Sequence, residues 1–405
     1  MHQTTILPNG LRLVHQRVHG AAACCGLIIN AGSRDEHEEE TGIAHFIEHL
    51  LFKGTGKRKA YHVLSRMEDV GGELNAYTTK EDTCVHATFT PDHYERAIEL
   101  FSDIVFHSTF PARELEKEKE VILDEINSVK DTPADLLFDD FEQLLYEGHP
   151  IARDILGNAD AIRRVDREAI TRFVSRNYHP ARMVISSVGD IPFEKLLRIV
   201  ERHFAGYPAG TPTTGRRPPA AYTPRRRDVQ KATHQGHCAI GNIAYDYTRD
   251  ERVPLSLLVN LLGDGGMNSR LNLNIRERHG LAYNVEAVYT PYSDTGYYLL
   301  YFGCDKANIE RCTDLCLREL QRLREQPLGP LQLKRARARV TGQIIIAAEN
   351  PEHVMLANGK SFLAFDEIET IDETIARVNA ITPDTLARVA REIFDDGQQT
   401  TLVYR

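Results

Sequence analysis

A helical stripe of Leu115, Ile122 and Ile126 returns 218 residues later as Leu333, Val340 and Ile344, and a repeat of that length constrains the fold more than any single motif. A second matched pair stands near the end of each half. Val165-Asp166-Arg167-Glu168-Ala169-Ile170 corresponds to Ile381-Thr382-Pro383-Asp384-Thr385-Leu386, and each leads into an apolar strand-like run, Met183-Val184-Ile185 or Thr401-Leu402-Val403. Between the halves, Gly206, Pro208, Gly210, Pro212, Gly215, Pro218, Pro219 and Pro224 leave no room for a regular element. A chain of 405 residues also exceeds what one hydrophobic core usually supports. The pattern predicts an α+β fold of two homologous α/β units of about 200 residues each. Residues 1–205 form one unit, 206–227 the linker and 228–405 the other.

The copies differ where chemistry matters. Glu118 and Glu125 of the first half become Ala336 and Gln343 in the second, so any reaction resting on those acids belongs to the first half. A formal net charge of −9 argues against a broad basic surface for nucleic acid, and the run Arg225, Arg226, Arg227 reads as solvated linker. No stretch approaches the roughly 18 apolar residues of a membrane span, and the opening Met1-His2-Gln3-Thr4-Thr5 lacks the pattern of a secretion signal. Seven scattered cysteines without a Cys-x-x-Cys pair suit a reducing compartment, which predicts a cytoplasmic protein. Cys312 and Cys316, one helical turn apart, read as core packing.

The segment from Thr41 to Gly54 opens with a hydroxyl residue suited to cap a helix and closes with a glycine suited to end one. Ile43, Phe46, Ile47, Leu50 and Leu51 make that helix apolar enough to be buried. His45, Glu48 and His49 stand at i, i+3 and i+4 and project from one strip of it. Two imidazoles one turn apart chelate a zinc ion, and a carboxylate beside them reaches a water without being a ligand. A structural histidine pair with a surface glutamate is the plainer reading, but burying three unpaired polar groups on an apolar helix is costly. His-x-x-Glu-His is the inverzincin order. A catalytic zinc needs a third protein ligand. The best source is the acidic helix from Arg113 to about Val129, where Glu118 and Glu125 share one face at the border of the Leu115 stripe; periodicity leaves the choice between them open.

These residues resemble the pitrilysin family, which includes insulin-degrading enzyme and the mitochondrial processing peptidases. The match is Gly42-Ile43-Ala44-His45-Phe46-Ile47-Glu48-His49-Leu50-Leu51-Phe52-Lys53-Gly54-Thr55, followed by Glu118-Lys119-Glu120-Val121-Ile122-Leu123-Asp124-Glu125, with 76 positions from His49 to Glu125. The resemblance implies zinc ligands at His45, His49 and Glu125, a general base at Glu48, and an auxiliary acid at Glu118 that holds a ligand or a water in position. It gives a use to Gly71-Gly72-Glu73-Leu74-Asn75-Ala76-Tyr77-Thr78, locally a strand after a glycine turn with Thr83, Val85, Ala87 and Phe89 as its return. In the family the matching strand is an edge on which a peptide lies, so Asn75, Ala76 and Tyr77 become substrate-binding residues. On local grounds alone Asn75 is a turn residue. Arg276-Glu277-Arg278-His279-Gly280-Leu281-Ala282-Tyr283 resembles the family's substrate clamp, with Arg276 and Tyr283 bonding the peptide near the scissile carbonyl; read alone, both are surface residues.

The expected activity is zinc-dependent hydrolysis of unfolded peptides. Large members of the family carry four such units on one chain, so two units imply a dimer, with itself or with a related chain, closing a clamshell chamber. The competing reading is a zinc-free scaffold or peptide-binding subunit of a hetero-oligomeric peptidase.

Overall fold

The computed structural model describes residues 2–211, 214–220, 222–263 and 266–405. Pro212, Thr213 and Ala221 of the expected linker lie outside the described residues. The chain forms two α/β units, each built on one sheet.

In the first unit the strands are β1 (His2–Ile6), β2 (Arg12–Arg17), β3 (Ala23–Ile29), β4 (Glu73–Thr78), β5 (Thr83–Phe89) and β6 (Met183–Gly189). Their order is β1-β2-β6-β3-β5-β4, with β2 and β6 parallel and the remaining neighbours antiparallel. Central β3, Ala-Cys-Cys-Gly-Leu-Ile-Ile, is buried at every position, as a strand covered on both faces must be. In the second unit β7 (Arg226–Val229), β8 (Gln235–Ile243), β9 (Ala282–Pro291), β10 (Gly296–Asp305) and β11 (Thr400–Tyr404) are ordered β7-β11-β8-β10-β9. Leaving β1 aside, every strand has a counterpart at the same place in the other sheet, down to the parallel first and last strands. The duplication read from the stripes is therefore present in three dimensions. Its helices keep the 218-residue offset: Ala112–Lys130 corresponds to Pro330–Ala347, and Pro133–Leu145 to Pro351–Phe365.

The compact units are not the two halves of the sequence. One comprises 1–127, 153–216 and 346–369; the other comprises 128–152, 217–345 and 370–405. Each half thus gives one helix to the opposite sheet. The helix Pro351–Phe365 lies on the first sheet, where Phe362 packs with Val14, Ile28, Cys84 and Val184, and Met355 with Cys24 and Val188. Gly359 makes this approach possible, since a Cβ there would stand 2.6 Å from Ile28 Cδ1 and 2.9 Å from Ser186 Cβ. In return the helix Pro133–Leu145 lays Leu137, Phe141 and Leu144 on Ala239, Leu299 and Leu402 of the second sheet.

The arginine run is more ordered than a solvated linker. Arg226 opens β7 and pairs with Asp228 at 3.0 Å and Glu310 at 2.7 Å, and Arg225 pairs with Glu147. All seven cysteines are free and buried, Cys312 and Cys316 within the second core. Among the described residues no helix is long and apolar enough to cross a membrane.

A candidate metal centre

The apolar run beginning at Ile43 forms a helix over Ile43–Leu51, with Ile43, Phe46, Ile47, Leu50 and Leu51 buried. Its start differs from the expectation. Thr41 does not cap it, because its hydroxyl donates to Glu38 O at 2.9 Å. The cap is Glu36, whose carboxylate accepts the amides of Gly42 and Ala44 at 2.9 Å each. The chain enters the helix at Gly42 with φ +90°, where a Cβ would also press on Gly157 at 2.9 Å. Gly54 does not end the helix; it lies beyond Phe52, in a bridge to Lys59.

One turn of this helix brings the rings of His45 and His49 to 4.7 Å between centres. Glu118 and Glu125 come from the helix Ala112–Lys130, where Leu115, Ile122 and Ile126 face the core as their spacing predicts. Oε2 of Glu125 stands 3.8 Å from Nε2 of His45 and 3.8 Å from Nε2 of His49. One donor atom from each of the three lies within 4.8 Å of the others, a cluster able to hold a metal ion. Two ligands of a tetrahedral zinc are about 3.3 Å apart, so the three need only close slightly around an ion.

The surroundings fit a cation. Burial, aided by the charge of His49, lowers His45 from its usual 6.5 to about 4, so the ring is neutral and its lone pair free to ligate. Nδ1 of His45 is buried with no hydrogen-bond partner, and Nε2 meets only Glu125, beyond hydrogen-bonding distance; among the described residues no protein group satisfies this ring. His49 is held from behind, its Nδ1 at 3.1 Å from Glu118 Oε2, while Glu118 Oε1 pairs with Lys53 Nζ at 2.7 Å. Glu118 is buried, whereas the Glu125 side chain is 43% exposed.

Glu48 is half-buried beside the pair. Burial raises it above the usual carboxylate range against the pull of a hydrogen bond from Thr78 and the charge of His49; Glu125 adds to the rise. Thr78 Oγ1 donates to Glu48 Oε2 at 2.6 Å.

Thr78 closes β4, which pairs with β5 alone and is the edge of its sheet. The expected hairpin is present, with Glu73 opposite Thr88 and Thr78 opposite Thr83. On this edge Leu74 and Ala76 pack toward the core that contains the metal-site helix, and Tyr77 packs on the other face with Phe362, its ring under Lys360 Nζ at 5.2 Å. The Asn75 side chain is exposed. Asn75 is a strand residue here, not a turn residue.

Arg276 and Tyr283 belong to the second unit. Arg276 sits in a π-helical turn, Asn272–Arg278, and Tyr283 is the second residue of the edge strand β9, 79% exposed. The guanidinium lies over the tyrosine ring, 4.9 Å from its centre. In the same unit Gln343 accepts from Asn260 Nδ2 at 2.8 Å, a neutral amide pair where the other copy carries Glu125.

The sequence pattern by itself assigns no role in the site to Thr78, Lys53 or Glu36. Lys53, four residues after His49, carried a helical-spacing signal. Thr78 carried none, since its role depends on where β4 meets the helix.

Residues 13–159 match the family model described as insulinase, peptidase family M16, and residues 164–340 that of the peptidase M16 inactive domain. A protein of Bacillus subtilis described as an uncharacterised zinc protease is 31% identical over 396 residues, 98% of this chain and 96% of its own. Another so described, from Streptomyces coelicolor, is 32% identical over 399 residues, 96% and 86% of the respective chains. Two crystal structures share the fold with a TM-score of 0.93: a protease from Helicobacter pylori, 23% identical, covering 100% of this chain and 99% of its own, and a peptidase M16 inactive domain from Pseudomonas fluorescens, 19% identical, covering 100% and 98%.

Proposed function

We propose, since this chain belongs to peptidase family M16, that it is a zinc-dependent endopeptidase that hydrolyses unfolded peptides. The observation that carries the reading is the convergence of His45, His49 and Glu125 beside Glu48. His45, His49 and Glu125 would hold the ion, and Glu118 would orient His49. Zinc bound there would lower the pKa of a water toward about 7 and polarise the scissile carbonyl. Glu48 accepts the proton of the attacking water and delivers it to the leaving amine; its raised proton affinity suits both acts. The peptide lies along the free edge of β4 at Asn75, Ala76 and Tyr77, recognised mainly by backbone hydrogen bonds, which favours extended chains over folded ones.

The active form is a dimer, with itself or a related chain, closing a clamshell chamber. Residues 1–205 supply the metal centre and residues 228–405 the clamp. Arg276 and Tyr283 then bond the peptide near the carbonyl and steady its developing charge. Free, buried cysteines suit work in the cytoplasm. The test is metal analysis of protein purified without chelator, together with digestion of a mixed peptide library read by mass. One zinc per chain and internal cleavage are expected. Zinc near zero with no cleavage would favour a scaffold subunit instead.

A further inference from the structure

Thr78 is the last residue of β4, and its hydroxyl makes the one hydrogen bond that the Glu48 carboxylate has among the described residues, 2.6 Å to Oε2. The pleat fixes where that hydroxyl points. Leu74, Ala76 and Thr78 alternate onto one side of the strand, and Leu74 and Ala76 pack toward the core that holds the helix Ile43–Leu51. The partner strand leaves no slack, because Thr78 sits opposite Thr83, which is buried and spends its own hydroxyl on Ala31 O at 2.8 Å. A threonine in a strand is also stiff at χ1. A rigid donor is thus aimed at a carboxylate whose side chain is otherwise held only by packing.

We infer that Thr78 is a positioning residue for Glu48. It engages one carboxylate oxygen, leaves the other for the reacting water, and locks the base to the edge strand along which the peptide is proposed to lie. Strand and base are then separated by a single hydrogen bond, so a peptide registered on β4 is registered against Glu48. This rests on the reading of Glu48 as the general base.

The test compares Thr78→Val, which keeps shape and branching but loses the donor, with Thr78→Ser, which keeps the donor. For T78V a fall in kcat of about 10- to 100-fold is expected, a share of the roughly 10²- to 10⁴-fold that a positioned base supplies. KM should stay within about twofold and T78S within about threefold of wild type, with zinc content equal in all three. Crystal structures of both variants give a readout that needs no turnover: Glu48 should leave its single rotamer in T78V and keep it in T78S. An unchanged kcat in T78V, equal losses in T78S and T78V, or an unmoved Glu48 in T78V would overturn the inference. A wild-type protein that holds zinc and cuts no peptide would overturn the peptidase reading instead, and the Glu48 rotamer would still decide what Thr78 does.

Discussion

Glu118 and His49 are joined at 3.1 Å between Oε2 and Nδ1, which leaves Nε2 of that ring facing Glu125. A carboxylate on the outer nitrogen fixes the tautomer and the tilt of a ligating ring. Lys53, at 2.7 Å from the other oxygen, balances the buried charge of Glu118. The two glutamates of one helix therefore do different things, one touching the ring from behind and the other sharing its open side.

This difference predicts a ranking. Glu118→Gln should weaken zinc binding by about 10- to 100-fold, the usual cost of losing such a support, and Glu125→Gln should weaken it considerably more. Both should lower activity. Competition with a chelator ranks them; equal retention would mean that the third ligand is some other acid.

Glu48→Gln should keep one zinc per chain and lose peptide hydrolysis. The basis is that Glu48 turns to Thr78 at 2.6 Å, while His45, His49 and Glu125 form the cluster without it. Zinc content and turnover are to be measured on the same preparation. Joint loss of metal and activity would make Glu48 a ligand.

Burial holds His45 near 4, below its usual 6.5. Between those values the unfolded chain binds a proton that the folded chain refuses, so stability falls as pH drops from about 6.5 towards 4. A difference of that size is worth roughly 3 kcal/mol. Urea titrations of metal-free protein should show this slope, and His45→Gln should flatten it whatever its absolute stability. An equal slope in both proteins would assign the acid sensitivity elsewhere.

If the clamp acts between subunits, a mixed dimer of differently tagged Glu48→Gln and Tyr283→Phe chains should recover about half of wild-type activity, because one of its two sites is intact. Each variant alone should be nearly inactive. A dead mixed dimer would place the clamp in its own chain.

Local periodicities carried the legible part. The stripes at Leu115 and Leu333 predict the long helices because amphipathic spacing needs no knowledge of the partner, and the i, i+4 step from His45 to His49 guarantees neighbouring rings. What escaped depends on elements meeting across the fold. Glu36 takes the cap expected of Thr41 because a loop turns its carboxylate back onto the amides of Gly42 and Ala44. Thr78 reaches Glu48 only because β4 borders the helix. Amphipathic pattern also told nothing of which sheet Pro133–Leu145 or Pro351–Phe365 would cover, since either sheet offers an apolar face.

That exchange of helices makes each half of the sequence depend on the other. Residues 1–205 produced alone would leave Val14, Ile28, Cys84 and Val184 bare where Phe362 now lies, a face prone to aggregate. The helix Pro133–Leu145 covers Ala239, Leu299 and Leu402 in the same way, so a cut at the linker strips the cover from both sheets at once.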